Sequence, residues 1–196
     1  EKKGEYHLAV EEYKNVADST ELYINSQIRA SMLLKNDKKI GEAIDLIRKA
    51  LTKKSDQVPF YLFLSMLYDE AGDSAASEKT LTEGLSVAPQ NIDLHYAMGV
   101  LYEKTDRFEE SVGMMKKILV IDPDYAEALN FIGFSYADRG INLDEAEKMI
   151  LRALELKPEN GYILDSVGWV YFKLNKFKNA EKYLKQALEL LPDEIE

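Results

Sequence analysis

Four prolines in this chain, Pro89, Pro123, Pro158 and Pro192, follow one another at steps of 34, 35 and 34 residues. Tyr68, Tyr102, Tyr136 and Tyr171 keep the same step. So do two series of small residues, Ser65, Gly99, Gly133 and Gly168, then Ser77, Ser111, Ala146 and Ala180. A third series, Ala50, Gly84, Ile118, Ala153 and Ala187, is mostly small. Several residue types recurring in one register constrain the fold more than any other feature of the chain. A period near 34 is that of an array of helix-turn-helix units, each burying its apolar face against its neighbours.

The unit reads as two helices. In "NIDLHYAMGVLYEK" the apolar residues Leu94, Met98, Leu101 and Tyr102 fall at helical spacing. "TDR" breaks the pattern, and Asp106 is expected to cap the second helix, with Glu109 completing a capping box. That helix, "FEESVGMMKKILVI", carries Phe108, Val112, Met115 and Leu119 on one stripe and ends at "DPD", since proline cannot continue it. Gly99 and Ser111 stand on the two helices of one unit, where small side chains let backbones approach closely. A glycine inside a helix costs roughly 0.5–1 kcal/mol against alanine, so its recurrence at one register implies a packing requirement that offsets the cost.

The chain is 46% hydrophobic and 31% charged, which suits a packed fold rather than disorder. It has no cysteine, hence no disulfide framework, thiolate metal site or cysteine nucleophile. A net charge of -10 repels phosphate backbones and argues against nucleic acid as a partner. No apolar run approaches the ~18 residues of a membrane span, and "EKKGEYHLAVEEY" is not a signal peptide. The two histidines, His7 and His95, are far apart, and His95 falls at a core position. There is no metal-ligand spacing, phosphate-binding glycine loop or acid–base pair, and Ser166 lacks the spacing of a nucleophile elbow. The chain reads as non-enzymatic, with no cofactor and no metal.

The pattern resembles the tetratricopeptide repeat. The last unit shows the family's motif as Leu164, Val167-Gly168, Tyr171, Ala180, Leu184, Ala187 and Pro192. The resemblance covers the whole chain as one array of full units at 24–57, 58–91, 92–125, 126–160 and 161–194, preceded by a half unit at 1–23 that matches through Gly4, Tyr6, Ala9, Tyr13 and Val16. It implies an all-α, right-handed solenoid of antiparallel helix pairs. The 24–57 unit is the most divergent, with Leu34 in place of the tyrosine and Ser55 in place of the proline. The 126–160 unit has one extra residue, read as a longer turn with Asn142 or Asp144 as cap. The half unit, and Tyr183, Leu184 and Leu188 on a last helix expected to show an apolar face, suggest a fragment of a longer protein. The segment 136–172 resembles bacterial members of the family, several of them lipoprotein-anchored or periplasmic adaptors. This leans the localisation towards the periplasm or outer membrane, with the cytoplasm as the alternative.

In the family the first helix of each unit lines the concave face. Carried over position by position, the resemblance implies a groove lined by Ile28, Met32, Leu62, Met66, Tyr96, Val100, Asn130, Phe134, Tyr162, Asp165, Trp169 and Phe172. Trp169, the single tryptophan, should face the groove in line with Phe134 and form an aromatic cluster with Phe172 and Tyr162. The alternatives are packing between repeats and contact with a segment outside this chain. Asp69, Glu70, Asp93, Glu103, Glu127 and Asp138 are expected on the rim against Lys104 alone, which predicts a protein or peptide ligand with apolar anchors and flanking Lys or Arg. The bland reading is a solvated acidic face. The family's clamp for acidic chaperone tails needs Lys and Asn where Ile28 and Met32, or Leu62 and Met66, stand here. The asparagine ladder of its sugar-transferase arms is absent from Arg29, Phe63, Ala97, Phe131 and Ser166.

The function expected is that of a scaffold or adaptor holding a partner's peptide or helix in its groove. The alternatives are self-assembly through stacked terminal helices into homo-oligomers, and the regulatory arm of an enzyme whose catalytic domain lies elsewhere.

Overall fold

The computed structural model describes residues 2–191, with side chains from Tyr6 onward; Pro192, the closing proline of the last unit, lies outside the described residues. The fold is all-helical. The chain groups into two compact units, Glu1–Arg107 and Phe108–Glu196. The first holds α1 (Lys2–Lys14), α2 (Tyr23–Asn36), α3 (Ile40–Lys53), α4 (Val58–Glu70), α5 (Ser74–Val87) and α6 (Ile92–Lys104). The second holds α7 (Phe108–Ile121), α8 (Ala126–Asp138), α9 (Leu143–Leu156), α10 (Gly161–Lys173) and α11 (Phe177–Leu190). Within each, consecutive helices pack as antiparallel pairs, and α2 and α4, α4 and α6, and α8 and α10 also touch.

The helices start where short polar side chains take up orphan backbone N–H groups. Asp73 accepts from the Ala76 amide at 3.0 Å, Asn91 from Leu94 at 2.9 Å and Asn160 from Ile163 at 3.2 Å. Asp106, expected as the cap of α7, lies two residues before the helix. It takes φ +58° in the turn, and the helix begins at Phe108. Its register explains this, because every unit turns between its two helices through one left-handed residue: Lys38 (φ 62°), Gly72 (φ 79°), Asp106, Gly140 (φ 67°) and Asn175 (φ 58°). The 126–160 unit has a second, Asn142 at φ 47°, which accommodates its extra residue. Asn142 stands at the start of α9, but its side chain makes no cap hydrogen bond.

The small positions sit where helices come closest. A Cβ added to Gly133 would lie 2.7 Å from Ile150 Cγ1 and 3.0 Å from the Ala146 carbonyl oxygen on α9. One added to Gly168 would lie 2.6 Å from Leu184 on α11. Serines at both small registers also hydrogen-bond across the pair: the Ser31 hydroxyl, at the glycine register, donates to the Ala43 carbonyl at 3.0 Å, and the Ser77 hydroxyl, at the alanine register of the facing helix, to the Ser65 carbonyl at 3.0 Å. In the first unit Ala43, Ile47, Ala50, Phe60 and Leu67 form a fully buried core. His95 is packed as expected, with Nε2 donating to the Pro89 carbonyl at 2.8 Å. On α11 only Leu188 of the three expected surface residues is exposed. Tyr183 stacks on Tyr171 with centroids 5.6 Å apart, and Leu184 fills the space beside Gly168.

Candidate protein-binding surfaces

Each compact unit carries part of the surface expected from sequence. In the first, Met32 on α2, Met66 on α4 and Val100 on α6 are 46%, 40% and 43% exposed, unusually open for apolar residues in the middle of helices. Ile28, Leu62 and Tyr96, one turn earlier on the same faces, are half-buried. The rim carboxylates are less free than their sequence suggests. Lys104 Nζ bonds both oxygens of Asp69 at 2.9 and 2.8 Å, and Lys35 reaches Glu70 at 3.1 Å. Lysine side chains are long enough to span from one unit's helix to the next, so residues 35 apart in sequence neutralise each other. Asp93 is exposed and Glu103 half-buried.

In the second unit α8 and α10 present Phe134, Tyr162 and Phe172 at the surface. Trp169 is half-buried on the same face of α10. Its ring stacks on Phe172, centroids 5.5 Å apart and planes 17° from parallel. Phe172 in turn meets Phe177 edge-on at 5.8 Å. Lys173 Nζ lies 4.7 Å over the indole and donates to the Asp138 backbone carbonyl at 2.9 Å. Glu127 is ion-paired with Lys157, and the Asp138 side chain is exposed. Counted over both units, Asp69, Glu70 and Glu127 have lysine partners, which corrects the picture of a rim opposed by Lys104 alone.

Three polar groups on this α8–α10 face lack partners. Asn130 Oδ1 and Trp169 Nε1 are buried with no hydrogen bond among the described residues. Asp165 stands at Asn130's register one unit later, and half burial holds its carboxyl above the ordinary carboxylate range, with desolvation as the sole cause and no cation near enough to oppose it. A buried acceptor, a buried donor and a desolvated carboxylate are each costly to leave unmet. Phe177 and Lys157 are neighbours of these faces that sequence reading missed. A step of 35 between lysine and carboxylate was the signal for the Lys35–Glu70 and Lys104–Asp69 pairs.

Models of the tetratricopeptide repeat match residues 58–91, 92–125 and 161–194. The chain belongs to the tetratricopeptide repeat family. Repeats of this family mediate protein–protein interaction. The TPR repeat-containing protein PA4667 of Pseudomonas aeruginosa is 30% identical over 186 residues, covering 94% of this chain and 31% of that protein. The type IV pilus assembly protein PilF of the same organism is 26% identical over 133 residues, covering 66% of this chain and 52% of PilF. The chain thus spans about a third and about half of these two relatives. Among solved structures, BtubC (BKLC) from P. vanneervenii superposes with a TM-score of 0.80 at 17% identity, over 96% of this chain and 89% of that one, a likeness of fold. No helix among the described residues of this tetratricopeptide array is long and apolar enough to cross a membrane, and no group of three His, Cys, Asp or Glu is placed to hold a metal.

Proposed function

We propose that this chain is a protein-binding module whose α8–α10 face takes a short segment of a partner protein, with a lysine or arginine of that segment seated on Asp165 and apolar side chains against Phe134 and the Trp169–Phe172 stack. The observation that carries the reading is the set of unmet polar groups on one helix face. A basic side chain of a peptide supplies a cation for Asp165, and Asn130 Oδ1 and Trp169 Nε1, which have no accessible surface, gain partners when their side chains turn outward on binding. The rim contributes less to the charge recognition, since Asp69, Glu70 and Glu127 are already paired with lysines. Helices hold the receptor side in place before binding, so little entropy is lost there. This reading assigns the chain no catalytic step, and the likeness to two Pseudomonas aeruginosa proteins supports a bacterial source.

The test is selection of binders from a random peptide library on the folded chain. Recovered peptides should be enriched in Arg or Lys beside apolar residues and should lose affinity for Asp165→Asn and Trp169→Ala variants whose circular dichroism is unchanged. Peptides that bind both variants as well as the parent, or that carry no basic residue, overturn the assignment. Self-association is the second reading, favoured by the exposed Leu188 and Leu190 on α11; a sedimentation mass independent of concentration removes it.

A further inference from the structure

A cavity of about 580 Å³ opens in the first unit, among α1, the C-terminal end of α2 and the start of α3. Tyr6, Val10, Leu33 and Leu34 give it apolar walls, and Glu11 and Lys39 are among its charged lining.

The repeat register accounts for this space. Leu34 holds the place that Tyr102, Tyr136 and Tyr171 hold in later repeats. Each of those tyrosines fills a seam against the preceding repeat. The Tyr102 hydroxyl donates to Glu78 Oε1 at 3.0 Å, while Arg107 lies 4.1 Å over its ring and pairs with Glu78 Oε2 at 2.7 Å. The Tyr136 ring stands 6.2 Å from Phe108. Lys176 pairs with Glu147 at 2.7 Å and lies 5.4 Å over Tyr171. At the α1 seam, Tyr6 occupies Phe108's register and Lys39 that of Arg107 and Lys176, but Val10 replaces the glutamate of the Tyr102 and Tyr171 seams, as Val112 does at the Tyr136 seam. The aromatic wall and the cation remain, and the tyrosine and its carboxylate are gone. A leucine is too short to reach where a phenol ring lies, so the slot is left unfilled.

We propose that this slot is a docking site for an aromatic side chain, a tyrosine or phenylalanine carried by a partner protein segment. The equivalent seams show what fits: a ring lying between two repeats, with a basic side chain over its face. Lys39, paired with Asp37 at 2.8 Å in the unfilled slot, is the basic side chain at this seam. The occupant's ring replaces contacts that the chain supplies for itself in the later repeats, and apolar Val10 and Leu34 favour a ring over a polar group. The site lies apart from the α8–α10 face and stands whether or not that face binds a peptide.

The experiment follows the methyl groups of Val10, Leu33 and Leu34 by NMR in the whole chain. The probes are N-acetyl-tyrosinamide, N-acetyl-leucinamide and N-acetyl-alaninamide. The tyrosine probe should give saturable shifts at these methyls, the leucine probe several-fold weaker ones and the alanine probe none. A Val10→Glu, Leu34→Tyr double variant rebuilds the later seams from within. It should melt higher than the parent and lose the tyrosine-probe shift at Leu33. Val10→Phe fills the slot from α1 and should lose the same shift, so it decides alone if the double variant does not fold. Equal shifts with the leucine and tyrosine probes overturn the proposal. So does no saturable shift, or a tyrosine-probe shift that persists in the folded filled variants.

Discussion

Trp169 and Phe172, three residues apart on α10, stack with their ring centroids 5.5 Å apart, and the indole N–H beside that stack is buried without a partner. The two features separate by mutation. Trp169→Phe keeps a ring against Phe172 but removes the N–H. Its melting temperature should fall little, because relief of the desolvation cost of a buried unmet donor offsets the packing lost with the smaller ring. Affinity for a selected peptide should fall roughly tenfold, the equivalent of one hydrogen bond at about 1–1.5 kcal/mol. Trp169→Ala also removes the stacking surface and should weaken binding further, by about 2 kcal/mol or more. Fluorescence anisotropy of a labelled peptide reads both losses. Equal affinity in parent and Trp169→Phe would show that the N–H meets no ligand.

Asp165 sets a pH dependence whose sign follows from its environment. Burial raises its carboxyl above the ordinary carboxylate range, so the folded chain holds that proton more tightly than the unfolded chain does. Its contribution to stability is therefore most favourable below the unfolded value, declines as pH rises through the raised folded value, and is a full penalty at neutral pH. Asp165→Asn removes the charge. The variant should melt higher than the parent at pH 7, with the gain shrinking towards zero as pH falls below 4. Calorimetry at both pH values checks this, and an equal difference at the two would mean that Asp165 is not desolvated. A saturating cationic peptide should return the lost stability to the parent but not to the variant.

The parts of this structure that were legible in the chain are those set by repetition. The 34-residue register located the helix pairs and marked Gly133 and Gly168 as points of close approach, since a glycine kept inside successive helices implies a steric demand. The left-handed turn at Asp106 was not legible because Asp followed three residues later by Glu is a local signal, whereas the turn position is shared by all units and visible only when Lys38, Gly72, Asp106, Gly140 and Asn175 are aligned. The rim charge was overestimated because lysines reach the carboxylates from a neighbouring unit, as Lys35 and Lys104 do, or from the end of the same unit's second helix, as Lys157 does. Phe177 joins the aromatic stack from across a turn, and the unmet atoms of Asn130 and Trp169 depend on depth below the surface, which residue type does not encode.

Gly133 offers a direct check on the packing between α8 and α9. An alanine there puts a methyl 2.7 Å from Ile150 Cγ1 and 3.0 Å from the backbone oxygen of Ala146. Ile150 can shift its side chain, but the carbonyl moves only with its helix. Gly133→Ala should therefore destabilise the chain by about 1–3 kcal/mol despite the better helix propensity of alanine, as overpacking does in a filled interior. Adding Ile150→Val should recover part of the loss, because it trims the nearer obstacle. Urea unfolding of the single and double variants measures both, and a gain in stability for Gly133→Ala would show that the helices have room to separate.

Lys38 is the one left-handed turn residue in the series that is neither glycine, asparagine nor aspartate. Its φ of 62° places the Cβ close to backbone that a glycine would avoid. The left-handed conformation costs a bulky L-residue roughly 1–2 kcal/mol relative to the right-handed one. Lys38 is exposed, and no ion pair among the described residues holds its side chain in place, so that cost is not offset there. Glycine sheds the strain but adds freedom to the unfolded chain, which returns part of the gain. Lys38→Gly should stabilise the chain by about 0.5–1 kcal/mol, and Lys38→Asn by less. Lys38→Val should cost stability, because a β-branched side chain is the least tolerant of positive φ. Melting temperatures in the order Gly, Asn, Lys, Val, highest first, are the expected result. Any order that puts Val above Lys would mean the turn relaxes out of the left-handed region, and the shared turn geometry would then not be what limits this position.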